Sequence, residues 1–312
     1  MNYEETIEYL FNVAPLFQQI GGAAYKPGIR TTEILDEHFN HPHRNYLTIH
    51  VAGTNGKGSC AHTLAAWLQL AGYRVGLYTS PHLVDFRERI RVNGEMIDKQ
   101  RVVDFVADER EFFEPLYPSF FELTTALAFQ YFAEQHVDIA VVEVGLGGRL
   151  DCTNIISPVL SLITNISLDH TQFLGNSLQS LAAEKAGIIK HGCDVLLYPQ
   201  CPDVEQVFHI TCSEQNASLH KAFLPKEATT YDLSGQTFDL HSDTGSWKFE
   251  HLRIPLLGHY QINNAAMAVN AAMLLRGKGY TISDEHIHAG LGHTKWIGRF
   301  ELMRKEPAVI ID

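Results

Sequence analysis

From Leu47 onward, short apolar runs alternate with longer stretches whose apolar residues recur every three or four positions. The short runs, 47–52, 74–79, 138–144, 159–166 and 194–198, include several that are nearly continuous, which predicts parallel strands covered on both faces. The stretches 60–71, 121–135 and 177–190 carry the helical period. Strand followed by helix, repeated, is the rhythm of a doubly wound, mostly parallel α/β sheet. Ahead of it, the first 25 residues predict a helix ending at Gly21-Gly22, with Tyr3, Ile7, Leu10 and Phe11 along one side. Residues 219–254 change period: 229–233 and 237–240 alternate, and Asp243-Thr244-Gly245-Ser246 has the composition of a hairpin turn. That stretch predicts a small antiparallel sheet added to the core. A helix from Gln261 to Leu275 follows, and the run Pro307–Asp312 reads as a buried strand. The expected division is one domain over residues 1–306, with 307–312 the first strand of a second.

Composition narrows the class without naming a function. The chain has 312 residues, 45% of them hydrophobic and 19% charged, as in ordinary globular proteins. Its net charge, 24 − 36 = −12, argues against a nucleic-acid surface. The first residues lack a basic stretch followed by an apolar one, and no apolar run approaches the roughly 18 residues of a membrane span. The five cysteines are never spaced C-x-x-C and read as free thiols of a reducing cytoplasm. Among the 17 histidines, the pairs His41/His43 and His286/His288 have no carboxylate or cysteine at metal-site spacing, so most are expected in turns or at the surface.

The strand at 47–52 runs into Gly53-Thr54-Asn55-Gly56-Lys57-Gly58-Ser59, and a helix follows at once. A glycine-rich turn opening a helix aims backbone N–H groups and the positive end of the helix dipole at one point. Glycines let a ligand approach closely, and Lys57 adds a charge that reaches terminal phosphates. Gly58 separates Lys57 from Ser59, so the spacing differs from the usual Walker loop. The arrangement predicts a nucleotide-triphosphate site.

Three polar groups leave neighbouring strands at the same sheet edge: Ser80, Glu143 and His170. Ligands of open α/β sheets bind at the carboxyl ends of the strands. A carboxylate beside a phosphate loop suits Mg²⁺, which favours hard oxygen ligands. Lys185 falls on the apolar stripe with Leu178, Leu181, Ala182 and Ile188/Ile189. It either snorkels or pairs with an acid, or it is a neutral amine open to carbamylation by CO₂. Arg149, Asp151 and Asn154 follow the glycine turn at 145–148 and could reach a polar substrate. Phe120, Phe121 and Glu122 open a helix, either as core or as a clamp for a flat heterocycle.

Several of these runs are shared with one family. His50–Ser59, Tyr78-Thr79-Ser80-Pro81-His82-Leu83, Glu88–Val92, Glu143–Asp151, Leu168-Asp169-His170-Thr171, Glu184–Ile188, Gly258–Ala266 and Gly298-Arg299-Phe300-Glu301 resemble the folylpolyglutamate synthase/dihydrofolate synthase family of the Mur ligase superfamily. The phosphate-loop spacing is that family's own. The resemblance implies an ATP-dependent ligase joining L-glutamate to dihydropteroate or to the terminal glutamate of a folate, through an acyl phosphate. It implies that Thr54, Asn55, Gly56, Lys57, Gly58 and Ser59 hold phosphate and that Asn264, Arg299 and Asp312 contact the nucleotide. Ser80, Glu143 and His170 would hold Mg²⁺, and Lys185 would be the carbamylated lysine. Lys57, Lys185 and His170 would be the catalytic set. The pterin would lie near Phe121, Glu122, Leu150, Asp151 and Cys152, and the segment Gly21–Arg30 falls where the family also contacts it.

Family members carry a further carboxy-terminal α/β domain. The expectation here is therefore a chain, monomeric and cytoplasmic, that holds ATP and Mg²⁺ but ligates poorly or not at all. The competing readings are a peptidoglycan-precursor amino-acid ligase of the same superfamily and an ATP-driven binding module without ligase chemistry. A module of that kind has no need of a carbamylated lysine.

Overall fold

In a computed structural model, residues 1–13, 28–169, 175–226, 228–293, 301–306 and 308–311 are described. Eight strands form the main sheet: β1 (Leu47–Ala52), β2 (Val75–Tyr78), β3 (Ile90–Val92), β4 (Glu95–Met96), β5 (Ile139–Glu143), β6 (Leu160–Ile163), β7 (Asp194–Leu197) and β8 (Ser218–Lys221). Their spatial order is β4-β3-β2-β5-β1-β6-β7-β8. From β2 to β8 every pairing is parallel, while β3 and β4 add an antiparallel edge. This is the doubly wound architecture expected from the alternation. Strand boundaries fall within a few residues of those read from the sequence.

The strands divide their side chains between two faces, which is why both parities had to be apolar. Ile49, Val51, Ile139, Val141, Leu160 and Leu162 join the core built with the helices Lys57–Leu70, His259–Gly277 and Asp284–His293. Ala140 and Val142 face the helices Tyr3–Val13, Lys99–Phe113 and Phe120–Glu134. Ala52, Ile163, Val195 and Leu197 pack with Leu178–Ala186 and Pro202–Glu214. Three further strands, β9 (Thr230–Asp232), β10 (Gly235–His241) and β11 (Lys248–Ile254), form the expected antiparallel sheet, with residues 243–246 in the β10–β11 turn. Phe238, Leu240, Phe249 and Leu252 bury against the first core.

Two expectations change, the start of the antiparallel region and the burial of the final run. Residues 218–221 pair in parallel with β7 at the edge of the main sheet, so the antiparallel region starts later than predicted. The amino-terminal helix is described over Tyr3–Val13, and its expected end at Gly21-Gly22 lies outside the described residues. The final apolar run forms β13 (Ala308–Ile311), paired with β12 (Glu301–Lys305) in a hairpin. It is not buried: Val309, Ile310 and Ile311 are 38–47% exposed. Finally, the histidines are not all superficial. His50 is fully buried, and His41 and His43 both turn Nδ1 toward the carboxylate of Asp36, an acid that lies five and seven residues earlier.

Candidate active site

The sheet register brings the predicted polar groups to one edge. Val51 pairs with Glu143 and Ala52 with Ile163, while Tyr78 pairs with Val142. The residues that follow these strands therefore emerge side by side, at spacings of roughly 4.8 Å between strands.

The glycine loop ends at Gly56, which caps the helix Lys57–Leu70 in the left-handed region, φ 87°. A side chain there would be strained, and its Cβ would strike the carboxamide of Asn264. Asn264 is thus packed on the loop, although it lies 208 residues later; its Nδ2 donates to Gln261 Oε1 at 3.0 Å. On its other side the loop is laced to the segment leaving β6. Thr54 N donates to Asn165 O at 2.8 Å, Asn55 N to Asn165 Oδ1 at 2.8 Å, and Thr164 Oγ1 to Asn55 O at 2.7 Å. Thr54 Oγ1 donates to Ser167 O at 3.1 Å. Lys57 Nζ lies over this turn, donating to the carbonyls of Gly53 and Thr54 at 3.1 Å each. Ser59 is buried within the first turn of the helix. These bonds fix the loop before any ligand arrives, so its shape need not be ordered at binding cost.

Glu143 is 4% exposed and accepts from the backbone N–H of Ser80 at 3.0 Å. That bond joins the ends of β2 and β5. After Glu143 the chain turns through residues 145–148 and runs against the helix Leu178–Ala186. A Cβ on Gly148 would meet Glu184 O at 2.6 Å and Lys185 Cα at 3.1 Å, so glycine is required for this approach. Lys185 itself is 3% exposed. Burial, reinforced by the neighbouring charge of Lys57, lowers its pKa to about 8, with Asp169 and Glu184 opposing. The amine is thus accessible in its neutral, nucleophilic form near neutral pH. That burial excludes snorkelling to the surface, while Asp169 and Glu184 keep an acid within electrostatic reach of the amine.

The predicted pterin residues also gather. Phe121 stacks obliquely on Tyr78, ring centroids 5.9 Å apart, beneath Gly145. Cys152 feels the charges of both Asp151 and Glu122, and with burial these push its thiol well above the usual range. Leu150 is half-buried beside them. Two carboxylates in this group have structural partners. Glu122 accepts from Ser119 N at 2.6 Å in a capping box that starts the helix Phe120–Glu134. Asp151 accepts from Leu146 N at 2.9 Å and Thr153 N at 3.0 Å, bracing the turn; burial raises its pKa against those bonds. Arg149 is paired with Glu184 at 2.7 Å, and Asn154 Nδ2 holds the carbonyls of Arg149 and Gly187, while Asn154 Oδ1 is buried with no partner among the described residues.

The sites expected at His170, Arg299 and Asp312, and most of the segment 21–30, lie outside the described residues. Sequence reasoning missed Thr164, Asn165 and Ser167 as the clamp on the glycine loop. Their signal was present, since a polar run leaving an apolar strand is unusual, but only the β1–β6 pairing shows what it holds.

Residues 51–272 match the Mur ligase middle domain. The dihydrofolate synthase/folylpolyglutamate synthase of Bacillus subtilis is 39% identical over 300 residues, which cover 92% of this chain and 69% of that protein. The chain belongs to the dihydrofolate synthase/folylpolyglutamate synthase family of Mur ligases. An FPGS–AMPPCP–folate complex superposes with a TM-score of 0.90 at 34% identity, covering all of this chain and 76% of that one. Mycobacterium tuberculosis folylpolyglutamate synthase complexed with ADP gives 0.85 at 31% identity, covering 99% and 69%. Among the described residues, no helix is long and apolar enough to cross a membrane.

Proposed function

We propose that this protein catalyses ATP-dependent ligation of L-glutamate to dihydropteroate, to the terminal glutamate of folates, or to both. The acceptor carboxylate oxygen attacks the γ-phosphorus of ATP and ADP leaves. The glutamate amine then attacks the acyl carbon of the mixed anhydride, phosphate leaves, and the amine gives up a proton. The observation that supports this reading is that the Lys57 loop and the Ser80–Glu143 pair follow neighbouring strands, with buried Lys185 within electrostatic reach of Lys57. Phosphoryl transfer of this kind needs positioning and charge neutralisation more than covalent help.

The donor set fits the expected groups. The Thr54–Ser59 loop, with a cradle that a Cβ at Gly56 would fill, suits a polyphosphate. Asn264 abuts that loop, and Arg299 and Asp312 complete the proposed nucleotide contacts. Glu143 and Ser80 offer hard oxygens for Mg²⁺, with His170 the third proposed ligand. Bound Mg²⁺ would neutralise phosphate charge as it shifts from the γ-phosphate to the leaving ADP. A carbamate on Lys185 would turn a buried cation into an anion beside Lys57 and the metal ligands. Phe121, Glu122, Leu150, Asp151 and Cys152 remain the proposed pterin surface.

The matched relatives are named as folate ligases, which favours this reading over a peptidoglycan-precursor ligase. The buried amine beside the loop favours it over a module without ligase chemistry. Free cysteines and dependence on ATP support a cytoplasmic enzyme; light scattering would check the proposed monomer. The test is ADP release and glutamylated product with dihydropteroate or tetrahydrofolate, glutamate, ATP and Mg²⁺. Product from a peptidoglycan precursor instead, or nucleotide binding indifferent to both folate substrates, would refute the reading.

A further inference from the structure

Arg89 immediately precedes β3, beside the carboxyl end of β2, where Thr79 N donates to its carbonyl at 3.0 Å. Its side chain is 3% exposed, an unusual place for a guanidinium without an ion pair. Nε donates to His82 Nδ1 at 2.7 Å, and the guanidinium lies 5.3 Å from the ring centre of Phe120. His82 is in turn stacked on Phe11 at 6.3 Å. No carboxylate among the described residues pairs with Arg89, and neither Nη atom has an acceptor there. Both keep a trace of solvent contact, although the residue as a whole is buried.

The acids nearby already have partners. Glu88 accepts from the N–H groups of Leu83, Val84 and Asp85 at 2.7–2.9 Å. Asp85 holds Arg87 at 2.8 Å and Tyr3 at 2.7 Å, and Glu143 takes the Ser80 N–H. Arg89 therefore keeps both Nη nitrogens, with their N–H groups, and its charge for an anion from outside the protein. Because its Nε must donate, His82 Nδ1 is the acceptor, and the ring's remaining N–H is on Nε2.

We propose that Arg89 binds the carboxylate of the acceptor substrate, with His82 positioning its guanidinium; this rests on the ligase reading above. The adenine nucleotide is not the anion the placement favours. The phosphate loop follows β1, and β5 and β2 separate it from β3, three strand spacings or roughly 14 Å away. The Phe120 ring that carries Arg89 adjoins Phe121 of the proposed pterin surface; burial lowers the guanidinium's pKa, and the nearby charges of Glu143 and Glu88 oppose that. An acceptor lying along that surface toward the metal ligands would bring its carboxylate past Arg89.

The test compares binding of pteroic acid and of its carboxamide to the unaltered protein and to Arg89→Met, which keeps volume and removes the charge. Losing a charged hydrogen bond predicts that the acid-over-amide preference falls at least about tenfold, with ATP affinity unchanged. Should Arg89→Met not fold, Arg89→Lys serves, with a fall of at least about threefold expected because the fork is lost. An unchanged preference in a folded variant, or weaker ATP binding in its place, overturns the assignment to Arg89 alone. If the unaltered protein binds neither compound, the ligase reading falls with it.

Discussion

Lys185 owes its chemistry to where it is buried. Its folded pKa of about 8 lies below the ordinary lysine value of 10.5, so between those values the unfolded chain holds more protons. Stability should therefore rise with pH across that window, and the full penalty, roughly 3 kcal/mol, applies below about pH 8. In CO₂-free buffer, Lys185→Met is expected to be more stable than the parent at pH 7 and to lose that advantage toward pH 10. Denaturant titrations at both pH values check this; equal stability at pH 7 would contradict it. The same variant should lose ligase activity, since no carbamate can form. Lys57 acts differently. Its ammonium rests on loop carbonyls that a triphosphate would replace as partners. Lys57→Ala is expected to lower turnover about 10²- to 10³-fold, by analogy with removal of one transition-state donor, with little change in melting temperature.

Among elements, the decisive contact is the glycine turn after β5 against the helix Leu178–Ala186. Gly148→Ala places a methyl 2.6 Å from Glu184 O, and backbone cannot yield as a flexible side chain would. The expected result is a loss of about 1–3 kcal/mol together with reduced activity, because Lys185 is shifted relative to Lys57 and the glycine loop. Gly277→Ala is the control. Nothing lies within 4 Å of its Cβ position and it closes a helix, so it should be neutral or stabilising by up to about 1 kcal/mol. Thermal melts and ADP release on both variants separate crowding at the site from a general intolerance of alanine. Element types were legible where both strand faces are apolar, as in Ile139–Glu143. The helices Lys99–Phe113, Pro202–Glu214 and Asp284–His293 were not assigned from the pattern; their stripes are narrow and interrupted by charge.

At the level of the whole molecule, a net charge of −12 opposes a polyphosphate, and local cations must offset it. Nucleotide should therefore raise the melting temperature only when Mg²⁺ is present, by an increment that grows with ligand concentration, and EDTA should abolish the increment. An equal shift in EDTA would show that Lys57 and the loop suffice alone. The chain's order of residues determined the glycine loop, the strands it follows, and the candidacy of Ser80, Glu143 and Lys185, because those depend on local spacing and period. It could not reveal that Asn264 backs Gly56, that the 164–167 segment clamps the loop, or that Glu122 and Asp151 are already engaged. Nor could it show Arg89 buried beside His82 with no carboxylate paired to it among the described residues. Each of those facts depends on which strands become neighbours, and strand order is chosen by the burial of entire faces. Local pattern supplied the parts; the packing of distant segments decided which of them meet.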